Sequence, residues 1–236
     1  MCYSNSSTTA NVDLSKKYGK KIPHDMPETP VFFASGFSFP AWRIVTSEDA
    51  LMMMNWGLIP SWFRDSDPKE IASITLNARV ETIGEKASFR NLVHRQHCII
   101  PSSGFFEWKS IGKDKIPYFI RPAEGPIFSM AGLYDQWNDP VIGRLKTTFT
   151  ILTCPANSLM EEIHNSKKRM PVLLLPEQEN NWLRGSIDPH DLEKPVESAF
   201  IRAIEIDRRI TSGKHPNCPE VQNEFKNPLY EQGSLF

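Results

Sequence analysis

The sequence lacks most of the signatures by which cofactor-dependent enzymes are commonly read. Its four cysteines, Cys2, Cys98, Cys154 and Cys218, form no CxxC pair, which disfavours a zinc site or a disulfide framework. There is no GxGxxG, no Walker A loop and no HExxH, so neither a cofactor nor a metal is expected. The longest apolar run, Met170–Pro176, falls far short of the roughly 18 residues a membrane span needs. Neither sign of charge dominates: 27 Lys and Arg stand against 28 Asp and Glu, for a net charge of −1. A nucleic-acid partner would therefore have to be held by a local basic patch. Asn5–Thr9 is polar where a secretory signal would be apolar, so a reducing, cytoplasmic location is expected, with a monomer as the default.

What is present fits an ordinary globular chain, with 236 residues, 40% hydrophobic and 23% charged. Its 19 prolines fall between apolar runs, the pattern of many short elements in one body. One domain over 2–236 is expected, with a core to about residue 210 and a tail from about 211. Short β-rich runs at Phe32–Phe33, Trp42–Thr46, His97–Ile100, Pro117–Arg121, Ile127–Met130, Thr147–Thr153 and Pro171–Leu175 are bounded by turn formers. A short helix is expected within Asp13–Pro30, and others over Glu85–Val93, Ser158–Ile163 with Asn157 as N-cap, and Glu177–Leu183. Many strands and few helices predict an α+β fold with a barrel-like, mainly antiparallel core.

Cys2 carries the sharpest chemistry. Once the initiator Met is removed, it presents a free α-amine and a thiol on adjacent carbons. Such a 1,2-aminothiol condenses with an aldehyde to an imine and then closes to a five-membered thiazolidine. An α-amine near pKa 7.7–8.0 is neutral at pH 7 about 400 times more often than a Lys amine, and holding both nucleophiles against one carbon supplies proximity. A Cys at position 2 taken alone is more often part of an inert terminus.

Four further segments are unusual for a bland domain: Asn55–Trp62 (NWGLIPSW), Leu76–Thr82 (LNARVET), Cys98–Trp108 (CIIPSSGFFEW) and Ile163–Pro171 (IHNSKKRMP). Together with Met1-Cys2 they occur in an order that resembles the SRAP family, the SOS-response-associated peptidases. The likeness also takes in Ala131–Tyr134 and Thr153–Asn157 and runs from Cys2 to about Arg209. It implies an SRAP-like fold and a sensor of abasic sites in single-stranded DNA. It also implies an active site of Cys2, Asn77, Glu107 and His164.

Each of these residues has a chemical rationale. Asn77 can orient an amine and a sugar hydroxyl without adding charge. Glu107 can shuttle protons, and apolar neighbours such as Phe105, Phe106 and Trp108 would raise its pKa. His164 can donate to a sugar oxygen. Each also has a structural alternative: a turn Asn, a solvated strand Glu, and a His at a helix C-terminus. One departure stands out. Tyr3-Ser4 occupies the place where many members continue Gly-Arg, which removes a possible phosphate contact.

Arg79, two residues after Asn77, would share its face on a strand and could hold a phosphate beside the sugar. Arg90, Arg95, Lys167, Lys168, Arg169, Arg208 and Arg209 are further cationic candidates. Trp56, Trp62, Phe39 and Trp42 could stack on bases, with Trp62 the best surface candidate and core packing the alternative for each. The expected partner is single-stranded DNA, or a single-strand/double-strand junction, carrying an abasic site. Two rival functions remain at this level: a thiol peptidase using Cys2 and His164, and a non-covalent DNA-binding module.

Overall fold

The structure, a computed structural model, describes residues 2–65, 67–211 and 217–225. Residue 1, and with it the expected loss of Met1, lies outside the described residues, as does most of the expected tail. The strands in chain order are β1 (Ser4–Ser7), β2 (Val31–Ser35), β3 (Ala41–Ile44), β4 (Met52–Trp56), β5 (Asn77–Arg79), β6 (His97–Ser102) and β7 (Gly104–Ile111). They continue with β8 (Asp114–Pro122), β9 (Phe128–Asn138), β10 (Leu145–Pro155), β11 (Arg169–Pro171), β12 (Leu173–Leu174) and β13 (Ile201–Glu205). The α-helices are α1 (Asn11–Tyr18), α2 (Lys69–Ile74), α3 (Ser158–Ile163) and α4 (Pro176–Leu183).

One sheet has five strands in the order β13-β8-β7-β1-β2, and the other has eight, with β12-β9-β10-β4-β3 as its main path. The fold is α+β, as the composition of short elements predicts. Both sheets are open; a single antiparallel bridge, Val45 to Ile99, brings the end of β3 to β6 without closing a barrel. No helix among the described residues is long and apolar enough to cross a membrane.

The polar segment Ser4–Ser7 forms a buried strand between β7 and β2. Its side chains can be buried because they are bonded: Ser102 Oγ donates to Asn5 Oδ1 at 2.5 Å, and Ser6 Oγ lies 2.8 Å from Ser103 Oγ. Arg43, itself buried, donates to Ser7 Oγ at 2.7 Å and to the carbonyls of Ser7 and Thr9 at 3.0 and 2.8 Å. These contacts pin β1 inside the protein.

The expected helix over Glu85–Val93 does not form. Residues 83–95 run as successive turns, with Phe89 N bonded to Lys86 O and Leu92 N to Phe89 O at a three-residue spacing. Phe89, Leu92 and Val93 are buried in the main core. Their burial anchors the segment, and it outweighs the weak helix preference of a stretch that follows Gly84. The Asn157 cap does form: its side chain accepts from Met160 N at 3.0 Å and starts α3.

Candidate active site

Burial of β1 carries Cys2 into the main core, where it is fully buried. Asn77 Nδ2 donates to the carbonyl of Cys2 at 2.9 Å. Asn77 Oδ1 is buried and accepts no hydrogen bond among the described residues. The Asn is held there by β5, which lies parallel to β10 with Asn77 against Ile151. Trp56 fixes the preceding residue by donating Nε1–H to Leu76 O at 2.8 Å.

Glu107 projects from β7, the strand that pairs directly with β1. It is almost fully buried. Burial pushes its carboxyl up to about 8, opposed by the positive amino terminus and by a backbone bond at Trp108. At neutral pH the group is therefore largely protonated.

His164 caps α3 at its C-terminal end, and its ring turns inward. Its Nδ1 lies 2.8 Å from Arg169 O. A carbonyl only accepts, so Nδ1 carries the proton and Nε2 is bare when the ring is neutral. Burial is the main cause that lowers the His164 pKa. Neutral Nε2 is thus an acceptor, not the donor expected from sequence. It sits 3.7 Å from Glu107 Oε2, too long for a direct hydrogen bond.

Two devices hold this pair. Asn165, next to His164, bonds the backbone of Ser110 in both directions, accepting from its N–H at 3.1 Å and donating to its carbonyl at 2.9 Å. The His164 turn is thereby tied to β7 three residues past Glu107. Lys168 adopts a left-handed conformation, φ 51°, at a cost of order 1–3 kcal/mol for a non-Gly residue. That bend lets Lys168 N and Lys167 N both reach His164 O, at 2.8 and 3.2 Å, and presents the next carbonyl to the imidazole.

Cys2, Asn77, Glu107 and His164 are thus all buried, and they are linked in two contacts, Cys2 with Asn77 and Glu107 with His164. The nucleic-acid candidates divide. Arg79 is exposed, on the same strand as Asn77 with the buried Ala78 between them. Arg90, Arg95, Lys167, Lys168, Arg208 and Arg209 are exposed as well. Trp62 is 48% exposed on a turn whose next residue, Phe63, is anchored against Trp137.

The remaining candidates are wholly or partly buried. Trp56 stacks on Phe149 with ring centroids 6.3 Å apart, Trp42 donates to Pro101 O at 3.0 Å, and both are buried. Phe39 is partly buried, wedged between the main core and a smaller cluster around Phe63 and Trp137. Arg169 is buried against Glu81 and donates to Thr153 O at 2.6 Å. We expect Arg169→Ala to act through stability. Glu81, left behind, is partly in solvent, so the loss should be about 1–3 kcal/mol, chiefly the bonds to Thr153, and should lower the melting temperature, while DNA affinity measured well below that temperature changes little.

Sequence reasoning gave no role to four residues: Arg43, which bonds β1, Asn165, which ties the His164 turn to β7, and Tyr3 and Phe37, whose rings contact each other next to Cys2 along the chain and across the fold respectively. Tyr3 and Asn165 carried a local signal, their places next to Cys2 and His164. The others act through contacts that no spacing reveals.

The geometry is thus a buried cysteine at position 2 whose carbonyl is bonded by an amide, with a carboxylic acid and an imidazole on the adjoining strand and turn. The family profile "SOS response associated peptidase (SRAP)" matches residues 1–212, and the chain belongs to that family. Among relatives, it is 36% identical over 206 residues to the abasic site processing protein YoqW of Bacillus subtilis, covering 80% of this chain and 88% of the relative. It is 31% identical over 198 residues to the abasic site processing protein HMCES of Xenopus tropicalis, covering 74% of this chain and 57% of the relative. A crystal structure of a protein from Bacteroides thetaiotaomicron superposes with a TM-score of 0.89 at 38% identity, covering 95% of this chain and all of that one (100%).

Proposed function

We propose that this protein processes abasic sites in single-stranded DNA by capturing the ring-opened sugar covalently on Cys2. The observation that carries the reading is the Cys2–Asn77 contact: a fully buried residue 2 whose carbonyl is clamped while the clamp's own Oδ1 is left without a partner. That oxygen can accept from the α-amine liberated when Met1 is removed, or from a sugar hydroxyl. The names of the relatives point the same way.

The chemistry follows from the protonation states. In ring opening, neutral His164 Nε2 takes the proton of the anomeric hydroxyl, and protonated Glu107 gives its proton to the ring oxygen. The aldehyde forms at C1′, and the Cys2 amine adds to it. The proton on the new ammonium passes to the alkoxide to give a neutral carbinolamine, and the His164 imidazolium returns its proton to Glu107; Glu107 then delivers it to the hydroxyl that leaves as water, which creates an iminium beside a carboxylate. The thiol adds to that carbon and gives its proton back to Glu107. One C–N and one C–S bond form, one water leaves, and the general acid ends as it began. Arg79 at the rim suits a phosphate contact.

The thiol's own state weighs against the peptidase alternative. Burial, and then the charge of Glu107, push the Cys2 thiol far above its ordinary value, whereas a thiol protease needs a depressed one. A thiol that stays protonated suits a trap that acts after the amine. We place the reaction in the reducing cytoplasm, on single strands or junctions, with a monomer as the acting species.

The experiment is incubation of the mature chain, its free Cys2 verified by intact mass, with a single-stranded oligonucleotide carrying one abasic site. The expected result is a denaturation-resistant species with the summed mass less one water. Absence of that species refutes the reading.

A further inference from the structure

The ring of Tyr3 packs against that of Phe37, with centroids 5.0 Å apart and planes inclined at 36°. Phe37 is 55% exposed, in a one-turn helix over Gly36–Ser38. Gly36 N donates to Tyr3 O at 2.8 Å, which locks that turn to the residue after Cys2. Tyr3 itself is half-buried and packed against the main core. We propose that Tyr3 and Phe37 form a stacking step that receives the nucleobase of a nucleotide adjoining the abasic site. This rests on the function proposed above.

Three observations carry it. First, neighbouring Cα atoms are about 3.8 Å apart, so a sugar bonded to Cys2 has its flanking nucleotide within reach of the Tyr3 ring. Second, Tyr3 follows Cys2 directly and begins the segment that enters β1, the strand paired with the Glu107-bearing β7, and its hydroxyl, raised chiefly by burial, lies within electrostatic range of both Glu107 and the exposed Arg79. Third, a large, exposed aromatic held by a backbone hydrogen bond and a ring contact is pre-organised, so little order is lost when a base lands on it. A baseless sugar offers no ring of its own. The neighbouring base is the flat apolar group closest to the site, and base–aromatic stacking does not depend on sequence.

The test uses an inert tetrahydrofuran abasic analogue, so that binding is read without cross-linking. Affinities of wild type, Phe37→Ala, Tyr3→Ala and Tyr3→Phe are measured on three oligonucleotides. In one, the analogue has normal neighbours; in the others, the 5′ or the 3′ neighbour is replaced by a second analogue. Phe37→Ala, an exposed change, and Tyr3→Ala should each weaken binding about 5- to 100-fold on the first oligonucleotide. The loss should shrink to under about 3-fold when the neighbour on one side is already baseless. Tyr3→Phe should bind within about 2-fold of wild type, and the dependence on salt should keep its slope, since stacking releases no counterions. Losses of equal size on all three oligonucleotides, or no loss for Phe37→Ala, would overturn the proposal. A wild type that binds the analogue with this coupling but forms no adduct with a true abasic site would refute the covalent chemistry and leave the stacking step standing.

Discussion

Cys2→Ala eliminates the denaturation-resistant species, with a fall of at least about a hundredfold, because neither the ring nor its trapping atom can form. Cys2→Ser is more informative. It keeps the α-amine and the burial, so an imine still forms, and borohydride should fix it as a secondary amine. Without the reductant it should hydrolyse back, since oxygen closes a far more labile ring than sulfur. Both variants should fold. For Cys2→Ala, deleting one buried heavy atom costs about 1 kcal/mol, which the hydrogen bonds of β1 to β7 and to Arg43 can absorb; for Cys2→Ser, the new hydroxyl can donate to Ser4 O, which the thiol already faces. Measuring the reduced and unreduced products side by side separates the two steps. A Cys2→Ser variant that accumulates as much unreduced adduct as wild type would remove the thiol from the mechanism. A variant that gives no reducible imine would remove the amine.

How much of this was legible beforehand differs from residue to residue. The α3 turn could be read locally, because Asn157 is a cap and Leu159, Met160 and Ile163 follow at helical spacing. That Asn77 and Arg79 would share a face if extended followed from their spacing, but the strand itself, β5, was not among the runs read as β. β1 was not legible. Ser-Asn-Ser-Ser reads as loop, and it is a central strand only because Ser102, Ser103 and Arg43 arrive from distant segments to satisfy it. Nor could the state of the imidazole be read. His164 is an acceptor because the carbonyl of Arg169 claims its other nitrogen, and that carbonyl is turned by a left-handed Lys168. The tryptophans show the opposite error. Trp56 looks like a stacking residue in isolation, yet it supports the backbone just before Asn77. Local patterns specified which elements exist and which residue types are available. Long-range hydrogen bonds decided which side chains reach the site.

Glu107→Gln should separate the stability cost of the site from its chemistry, because one buried proton governs both. The folded-state pKa of about 8 lies above the ordinary value of 4.5, chiefly through burial. Between those values the folded protein holds a proton that the unfolded chain has released. The stability tied to this proton is therefore whole below about pH 4.5, and it is lost as pH rises through about 8. Gln mimics the protonated acid and has no proton to lose. Relative to wild type, it should gain stability from pH 5 to pH 9, by up to about 4 kcal/mol at 1.36 kcal/mol per pKa unit. Urea unfolding at pH 5, 7 and 9 measures this, and parallel curves for the two proteins would place the carboxyl in water. The rate of adduct formation should move oppositely. Gln cannot pass a proton, so the rate should fall by about 10²–10⁴ at pH 7. In wild type, the rate should decline on the alkaline side with an apparent pKa near 8, where the general acid is spent. The same burial that weakens the fold at high pH thus keeps the carboxylic acid protonated at the pH where, in the proposed reaction, an α-amine on Cys2 would begin to lose its charge.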